Sequence, residues 1–187
     1  ASFSGNNFGK AFSWEIPRNY DTKYWMRRDK YISQVYGGLA NMYDPTEPNH
    51  AINPDFWFYL FENSNIQQEQ MLRARISFTA KLTNWAKFIA ETNISNNALT
   101  NDNKELGTGR NFAGGSYSRS NGLRHSDYIK GLFLLNKSIS RDLSLSGNIG
   151  GELQRFENSS SSGSTTGGLI YPGAYYLGNS LGAVQGG

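Results

Sequence analysis

The chain contains no cysteine, which excludes a disulfide framework, a thiolate metal centre and a cysteine nucleophile. Histidine is almost as scarce. His50 and His125 stand far apart without companions at metal-ligand spacing, and they read as solvent-exposed loop residues. Charged residues make up 18% of the chain, below the roughly one quarter usual in a soluble domain, and hydrophobic residues only 37%. Long apolar runs are missing too. Phe56–Phe61 and Gly131–Leu135 are the longest, far short of the roughly 20 residues a spanning helix needs. The opening residues, Ala1-Ser-Phe-Ser-Gly-Asn-Asn, have neither a basic region nor an apolar core, so an export signal is expected outside this sequence, as in a fragment. A net charge of +3 carried by scattered Lys and Arg leaves no nucleic-acid footprint.

Signatures of chemistry are absent as well. Gly107-Thr-Gly109-Arg-Asn-Phe-Ala-Gly114 has the wrong spacing for a dinucleotide fingerprint, and no Gly-Lys-Ser/Thr phosphate loop occurs. Asp102-Asn-Lys-Glu105 lacks EF-hand spacing. Asp44, Glu47 and Asp55 read as solvated loop acids. No catalytic constellation emerges, so neither an enzyme nor a cofactor or metal is expected.

What the chain does have is alternation. Between Glu69 and Asn96, Leu72, Ala74, Ile76, Phe78, Ala80 and Leu82 alternate with Arg73, Arg75, Ser77, Thr79, Lys81 and Thr83. A period of two over about ten residues predicts a strand with one dry and one wet face, long enough to cross a bilayer at a tilt. A return arm repeats the pattern in Ala86, Phe88, Ala90 and Ile94, although Ile89 falls on the wet side. A second hairpin is expected over 128–156. Its later arm sets Leu143, Leu145, Ile149 and Leu153 against Ser144, Ser146, Asn148, Gly150 and Glu152. In its earlier arm Ile129, Phe133 and Leu135 are assigned to the dry face. High glycine (21 residues) and 14% aromatics agree with β structure.

The predicted fold class is therefore all-β: an antiparallel transmembrane β-barrel segment with long extracellular loops. One partial barrel domain spans 1–187, with a loop region over 12–66, a hairpin over 69–96, an extracellular loop over 97–127, a hairpin over 128–156 and an extracellular loop over 157–187. Residues 1–10 could end a preceding strand. The tight turns around Asn84 and Ser140 are expected on the periplasmic side, where barrels keep their turns short. Within 12–66, Asn53-Pro-Asp55 before Phe56-Trp-Phe-Tyr-Leu-Phe61 favours a short helix, and a buried aromatic strand is the alternative. Asn121-Gly122 suggests a small ribbon within the 97–127 loop. Four crossings cannot close a barrel, since even the smallest has about eight strands. Candidate substrate or partner contacts are the loop aromatics Trp14, Tyr24, Trp25, Trp57 and Tyr59, together with Tyr43. Packing of the loops against one another is the competing role. Arg73, Arg75, Lys81 and Glu152 are expected to face the lumen, and Trp85 to join an interfacial aromatic girdle.

Five segments, in order, resemble SusC/RagA-like TonB-dependent transporters: Pro17-Arg-Asn-Tyr-Asp-Thr-Lys-Tyr-Trp25; Asn53-Pro-Asp-Phe-Trp57 through Glu62-Asn63; Arg75-Ile-Ser-Phe-Thr-Ala-Lys-Leu-Thr-Asn-Trp85; Leu134-Leu-Asn-Lys-Ser138 with Leu143-Ser-Leu-Ser-Gly-Asn-Ile-Gly-Gly-Glu152; and Gly167-Gly-Leu-Ile-Tyr-Pro-Gly-Ala-Tyr-Tyr-Leu-Gly-Asn-Ser180. The resemblance covers nearly the whole chain. It implies a stretch of a plugged barrel of about 22 strands in the outer membrane of a Gram-negative, Bacteroidetes-type bacterium. It further implies uptake of glycans or peptides as nutrients with a SusD-like surface lipoprotein as lid, powered by TonB through the plug. Partners would be the remainder of the barrel, that lipoprotein, TonB, and outer-membrane lipid and lipopolysaccharide. The plug and the TonB-contacting segment have no counterpart in these residues. Two other roles remain open at this point: a SusC-like barrel serving as a structural subunit of an outer-membrane assembly or secretion complex, and a soluble carbohydrate-binding β domain.

Overall fold

The computed structural model describes residues 19–41, 43–47 and 53–187. Trp14, His50 and the expected strand tail at 1–10 lie outside them. Over the described residues the protein is mostly antiparallel β-sheet with few helices. A meander joins β1 (Ser64–Lys81), β2 (Ala86–Glu105), β3 (Ser116–Ser138) and β4 (Ser144–Ser164), and the two-residue β5 (Gln185–Gly186) follows. Neighbours in sequence are neighbours in the sheet, in the order β1-β2-β3-β4-β5, and the sheet stays open rather than closing into a barrel. The helices are short: α1 (Thr22–Trp25), α2 (Arg28–Tyr31) and α3 (Pro54–Glu62).

Both expected tight turns are present. Leu82 and Thr83 N–H donate to the Ala86 carbonyl (3.0 and 3.2 Å), reversing β1 into β2, and Ile139 and Ser140 N–H donate to the Leu143 carbonyl (2.8 and 3.1 Å), reversing β3 into β4. The strands, however, outrun the expected hairpins. At 18, 20, 23 and 21 residues they are about twice as long as a tilted bilayer crossing requires. Most of the loop expected over 97–127 is strand. β2 runs on to Glu105, β3 begins at Ser116, and the true connection is 106–115. Asn121-Gly122 forms no turn and lies inside β3. The Asn-rich segment is unfavourable for β by propensity, yet polar pairs across the strands carry it. Thr100 donates to Asn121 Oδ1 (3.2 Å), Tyr117 Oη to Asp102 (2.8 Å) and Ser116 Oγ to Glu105 (2.8 Å). At the other margins, β1 already begins within the expected 12–66 loop region, and β4 extends to Ser164 in the expected 157–187 loop.

By internal contacts the chain forms two units, one of residues 67–100 and 121–161, the other of 1–66, 101–120 and 162–187. The first is the body of the four-stranded sheet. The second holds the helices around an aromatic core of Tyr31, Phe56, Trp57, Phe58 and Leu106, with Tyr20, Trp25, Ile32, Leu39, Tyr59 and Phe112 packed on it. In that core α3 resolves the alternative left open at 53–61 in favour of helix. Pro54 occupies its first turn, where its missing N–H costs nothing, and Asp55 favours the positive end of the helix dipole. Its Phe56, Trp57 and Phe58 are buried, while Phe61 stays half-exposed.

Candidate functional site

In the sheet unit, side-chain contacts fix which residues share a face. Arg75 pairs with Glu91 (2.9 Å) and Asn97 donates to Glu69 (2.7 Å), so odd residues of β1 and β2 lie together. Thr100–Asn121 and His125–Asn96 join the even residues of β2 to the odd residues of β3. Tyr128 Oη donates to Glu152 (3.2 Å), joining the even residues of β3 and β4. Since side chains alternate across a sheet, one face carries Leu72, Ile76, Phe78, Leu82, Phe88, Ile94, Ile129, Phe133, Leu135, Leu143, Leu145, Ile149 and Leu153. The opposite face carries Arg73, Arg75, Lys81, Glu91, Tyr128 and Glu152. The residues assigned to dry and wet sides from the pattern thus fall on two opposite faces, and Arg73, Arg75, Lys81 and Glu152 share the polar one. Ile89 joins them there, as its position in the pattern requires.

The apolar face has no layer over it among the described residues. Ile76 is 68% exposed, Ile149 71% and Leu153 76%. A sandwich would bury this face against a second sheet about 10 Å away. The edges are open too. Ser162 and Gly187 exchange two backbone hydrogen bonds (2.8 and 3.2 Å), so the N–H and C=O of even residues in β4 point to its outer edge. From Ser146 to Ser160 that edge has no partner among the described residues, and neither has the outer edge of β1. Trp85 lies at the β1–β2 turn, 41% exposed, with the Lys137 ammonium 5.0 Å from its ring centre.

In the helical unit three of the loop aromatics, Trp25, Trp57 and Tyr59, turn inward. Trp57, expected to offer a contact surface, is 4% exposed, donates Nε1–H to Tyr20 Oη (2.7 Å) and stacks on Phe61 (5.8 Å). Trp25 stacks on Tyr20 and meets Tyr24 edge-on, and Tyr59 is half-buried against Phe58. Trp57 is therefore a packing residue, because its position on α3 points it into the core. Trp25 and Tyr59 serve chiefly to pack the same core. Tyr24 is more exposed and lies under Lys30 Nζ at 4.7 Å, and Tyr43 is fully on the surface. Burial and the Glu62 carboxylate push the Tyr31 hydroxyl up to about 12, and burial raises Tyr59 as well.

The same unit holds a cavity of about 440 Å³ that the sequence patterns did not indicate. Among its lining residues Arg28 clasps Glu62 through Nε (2.8 Å) and Nη2 (3.5 Å), and Tyr31 Oη also donates to Glu62 (3.1 Å). Phe61, Phe112, Pro172 and Tyr175 line it. Phe112 is presented by an unusual turn in which it and Asn111 both take left-handed backbone conformations (φ 61 and 52), costly for non-glycine residues and most common where function demands them. Asn111 N–H donates to the Tyr36 carbonyl (2.9 Å), and Leu39 N–H to Thr108 (3.0 Å), clamping the turn. No group of three or more acidic, histidine or cysteine side chains suited to a metal occurs among the described residues. No protein-family model matches the chain, and no curated protein matches it.

Proposed function

We propose that this chain is part of the wall of a SusC-like TonB-dependent transporter in the outer membrane, importing glycans or peptides beneath a SusD-like lipoprotein. The observation that carries the proposal is the uncovered apolar face shared by four long antiparallel strands, backed by a polar face on which Arg75 pairs with Glu91 and Tyr128 donates to Glu152. In water, so large an apolar surface is a liability. Against lipid it is the required surface, and the polar face then lines a lumen. The open edges of β1 and β4 fit the same reading. An unpaired backbone group in hydrocarbon costs several kcal/mol, so neighbouring strands of the barrel must complete both edges. The ordered sequence resemblances supply the transporter family, the lid and the energy source.

Fractionation of the native host tests the location. The protein should stay with outer membranes through alkaline carbonate extraction, and release into the soluble fraction would refute the proposal. Transport is tested separately, by loss of TonB-dependent uptake of an oligosaccharide or oligopeptide when the gene is deleted. Retained uptake and growth in the deletion strain, with assembly of another envelope complex lost, would place the barrel in a structural role instead.

A further inference from the structure

At its turn end, the polar face of the sheet sets two lysines against each other. Leu82 N–H donates to the Ala86 carbonyl (3.0 Å), so the next residues outward, Lys81 on β1 and Lys87 on β2, stand directly opposite. Both are exposed and share the face of Arg75 and Glu91. In such a pair the Cβ atoms lie about 4.5–5.5 Å apart, and like charges repel. Asn136 N–H donates to the Trp85 carbonyl (2.8 Å) and Ile139 N–H to that of Leu143 (2.8 Å). Counting along β3 and β4 from those bonds sets Leu134 and Asn148 in line with the lysines, and Asn136 and Ser146 in the next row beside Trp85. A cavity of about 570 Å³ agrees with the count, since Lys87, Leu134, Asn148, Trp85, Asn136 and Ser146 all line it.

No carboxylate answers these lysines. Neither forms an ion pair among the described residues. The nearest acids on the face, Glu91 and Glu152, stand four residues along the strands from Lys87 and Asn148, about 13 Å away. Arg75 holds Glu91 (2.9 Å), and Tyr128 donates to Glu152 (3.2 Å). At the turns, Asp142 is outnumbered by Arg141 and by Lys137, whose ammonium lies 5.0 Å from the Trp85 ring centre.

Two facing ammonium groups with neutral donors beside them call for an anion, and charge chooses which. A carboxylate carries one negative charge and leaves one ammonium uncompensated. A phosphomonoester carries about 1.5–2 at pH 7, with three acceptor oxygens. Those oxygens match the lysine ammoniums, the amides of Asn136 and Asn148 and the Ser146 hydroxyl. The volume lies within the range of about 300–1,000 Å³ typical of small-molecule sites, and Trp85 and Leu134 offer an apolar wall to the organic part. We propose that Lys81 and Lys87 bind the phosphate of a small, water-soluble phosphomonoester, with Asn136, Ser146 and Asn148 completing its hydrogen bonds. The site needs only the shared polar face and stands apart from the transport reading.

The test titrates glycerol 3-phosphate calorimetrically into the whole purified protein in detergent, with acetate and micellar short-chain phosphatidate as rivals at matched ionic strength. Glycerol 3-phosphate should bind saturably and more tightly than acetate. Lys81→Gln and Lys87→Gln should each weaken it tenfold or more, whereas Arg155→Gln, on the opposite face, should leave Kd unchanged. Thermal unfolding supplies a second signature, because a ligand of the folded state raises its stability. Lys87→Gln relieves the repulsion and should unfold no earlier than the wild type without ligand, yet gain nothing from glycerol 3-phosphate. Absence of saturable binding, equal affinity for acetate, tighter binding of the phosphatidate, or wild-type affinity in either lysine variant would overturn the inference. Membrane fractionation reads the transport proposal independently: a protein retained in outer membranes that binds no phosphomonoester loses this site alone, and a soluble protein that binds one loses the transporter alone.

Discussion

Placing arginine at Ile76 and at Ser77 tests the proposal that the apolar face of the sheet meets lipid. The two residues are neighbours on β1, near the middle of the alternating stretch from Leu72 to Leu82, and so sit at nearly the same depth. Ile76 belongs to the uncovered apolar face and Ser77 to the polar face beside Arg75 and Thr79. In a bilayer, arginine at the midplane of the lipid-facing surface costs about 2–4 kcal/mol, and the cost falls to about 0–1 kcal/mol near the interfaces. At about 1.4 kcal/mol per decade, Ile76→Arg should lower the folded-to-unfolded ratio on the order of 30- to 700-fold. Ser77→Arg should change it little, because the proposed transporter turns that face to water. Leu82→Arg, on the same apolar face but next to the turn, should cost only a fraction of the Ile76 value. Urea titration of the whole protein refolded into phospholipid vesicles, followed by heat-modifiable migration in gels, measures all three. Equal costs for Ile76→Arg and Ser77→Arg, or a larger cost for Leu82→Arg than for Ile76→Arg, would refute the assignment of this face to lipid.

Three further outcomes follow from the helical unit. Gly38 has φ +96, and a Cβ there would be driven into the Gly109 carbonyl oxygen, while one at Gly107 would strike the carbonyls of Phe112 and Ala113. Gly38→Ala and Gly107→Ala should therefore each cost about 3 kcal/mol or more by thermal unfolding, because backbone atoms cannot step aside. Trp57→Ala should destabilise the same core by about 3–5 kcal/mol, and near-ultraviolet circular dichroism would register the lost aromatic order. Tyr31 holds its proton more tightly folded, to about 12, than at the ordinary value of 10.0. Its contribution to stability is thus intact below pH 10 and lost as pH rises from there towards 12. Tyr31→Phe should flatten that alkaline decline, measured alongside tyrosinate absorbance.

The sheet half of the fold was legible because it is written in a period of two. Leu72 to Leu82 and Leu143 to Leu153 alternate over enough residues that no helix or buried core strand would carry the same pattern, and the turns at Asn84 and Ser140 interrupt it. The strand extensions were illegible for the opposite reason. Asn96, Asn97, Asn101, Asp102, Asn103 and Asn121-Gly122 are residues that favour turns locally, and what makes them strand is pairing with partners some twenty positions away, which local pattern does not register. The aromatic loops misled in another way. Trp57 and Tyr59 look alike as loop aromatics, but whether such a ring faces solvent depends on the helical phase of α3 and on Tyr20, 37 residues earlier. The cavity was hidden entirely. Arg28, Glu62, Phe112 and Tyr175 are drawn from four separate stretches, and the two left-handed residues at 111–112 carry no glycine to advertise them.

The open edges of the sheet have a practical corollary for anyone handling the protein in solution. An exposed edge recruits other strands, and lysine or arginine along it is the usual deterrent. The two edges are unequally guarded. β1 carries Arg73, Arg75 and Lys81, which repel a second copy laid alongside. On β4 the charges Glu152, Arg155 and Glu157 all lie in the later part, and Ser144 to Gly151 holds only uncharged residues. In water, the uncharged first part of β4 is where a second copy should pair most readily, and a charge placed there, rather than any change to the core, should keep the protein in solution.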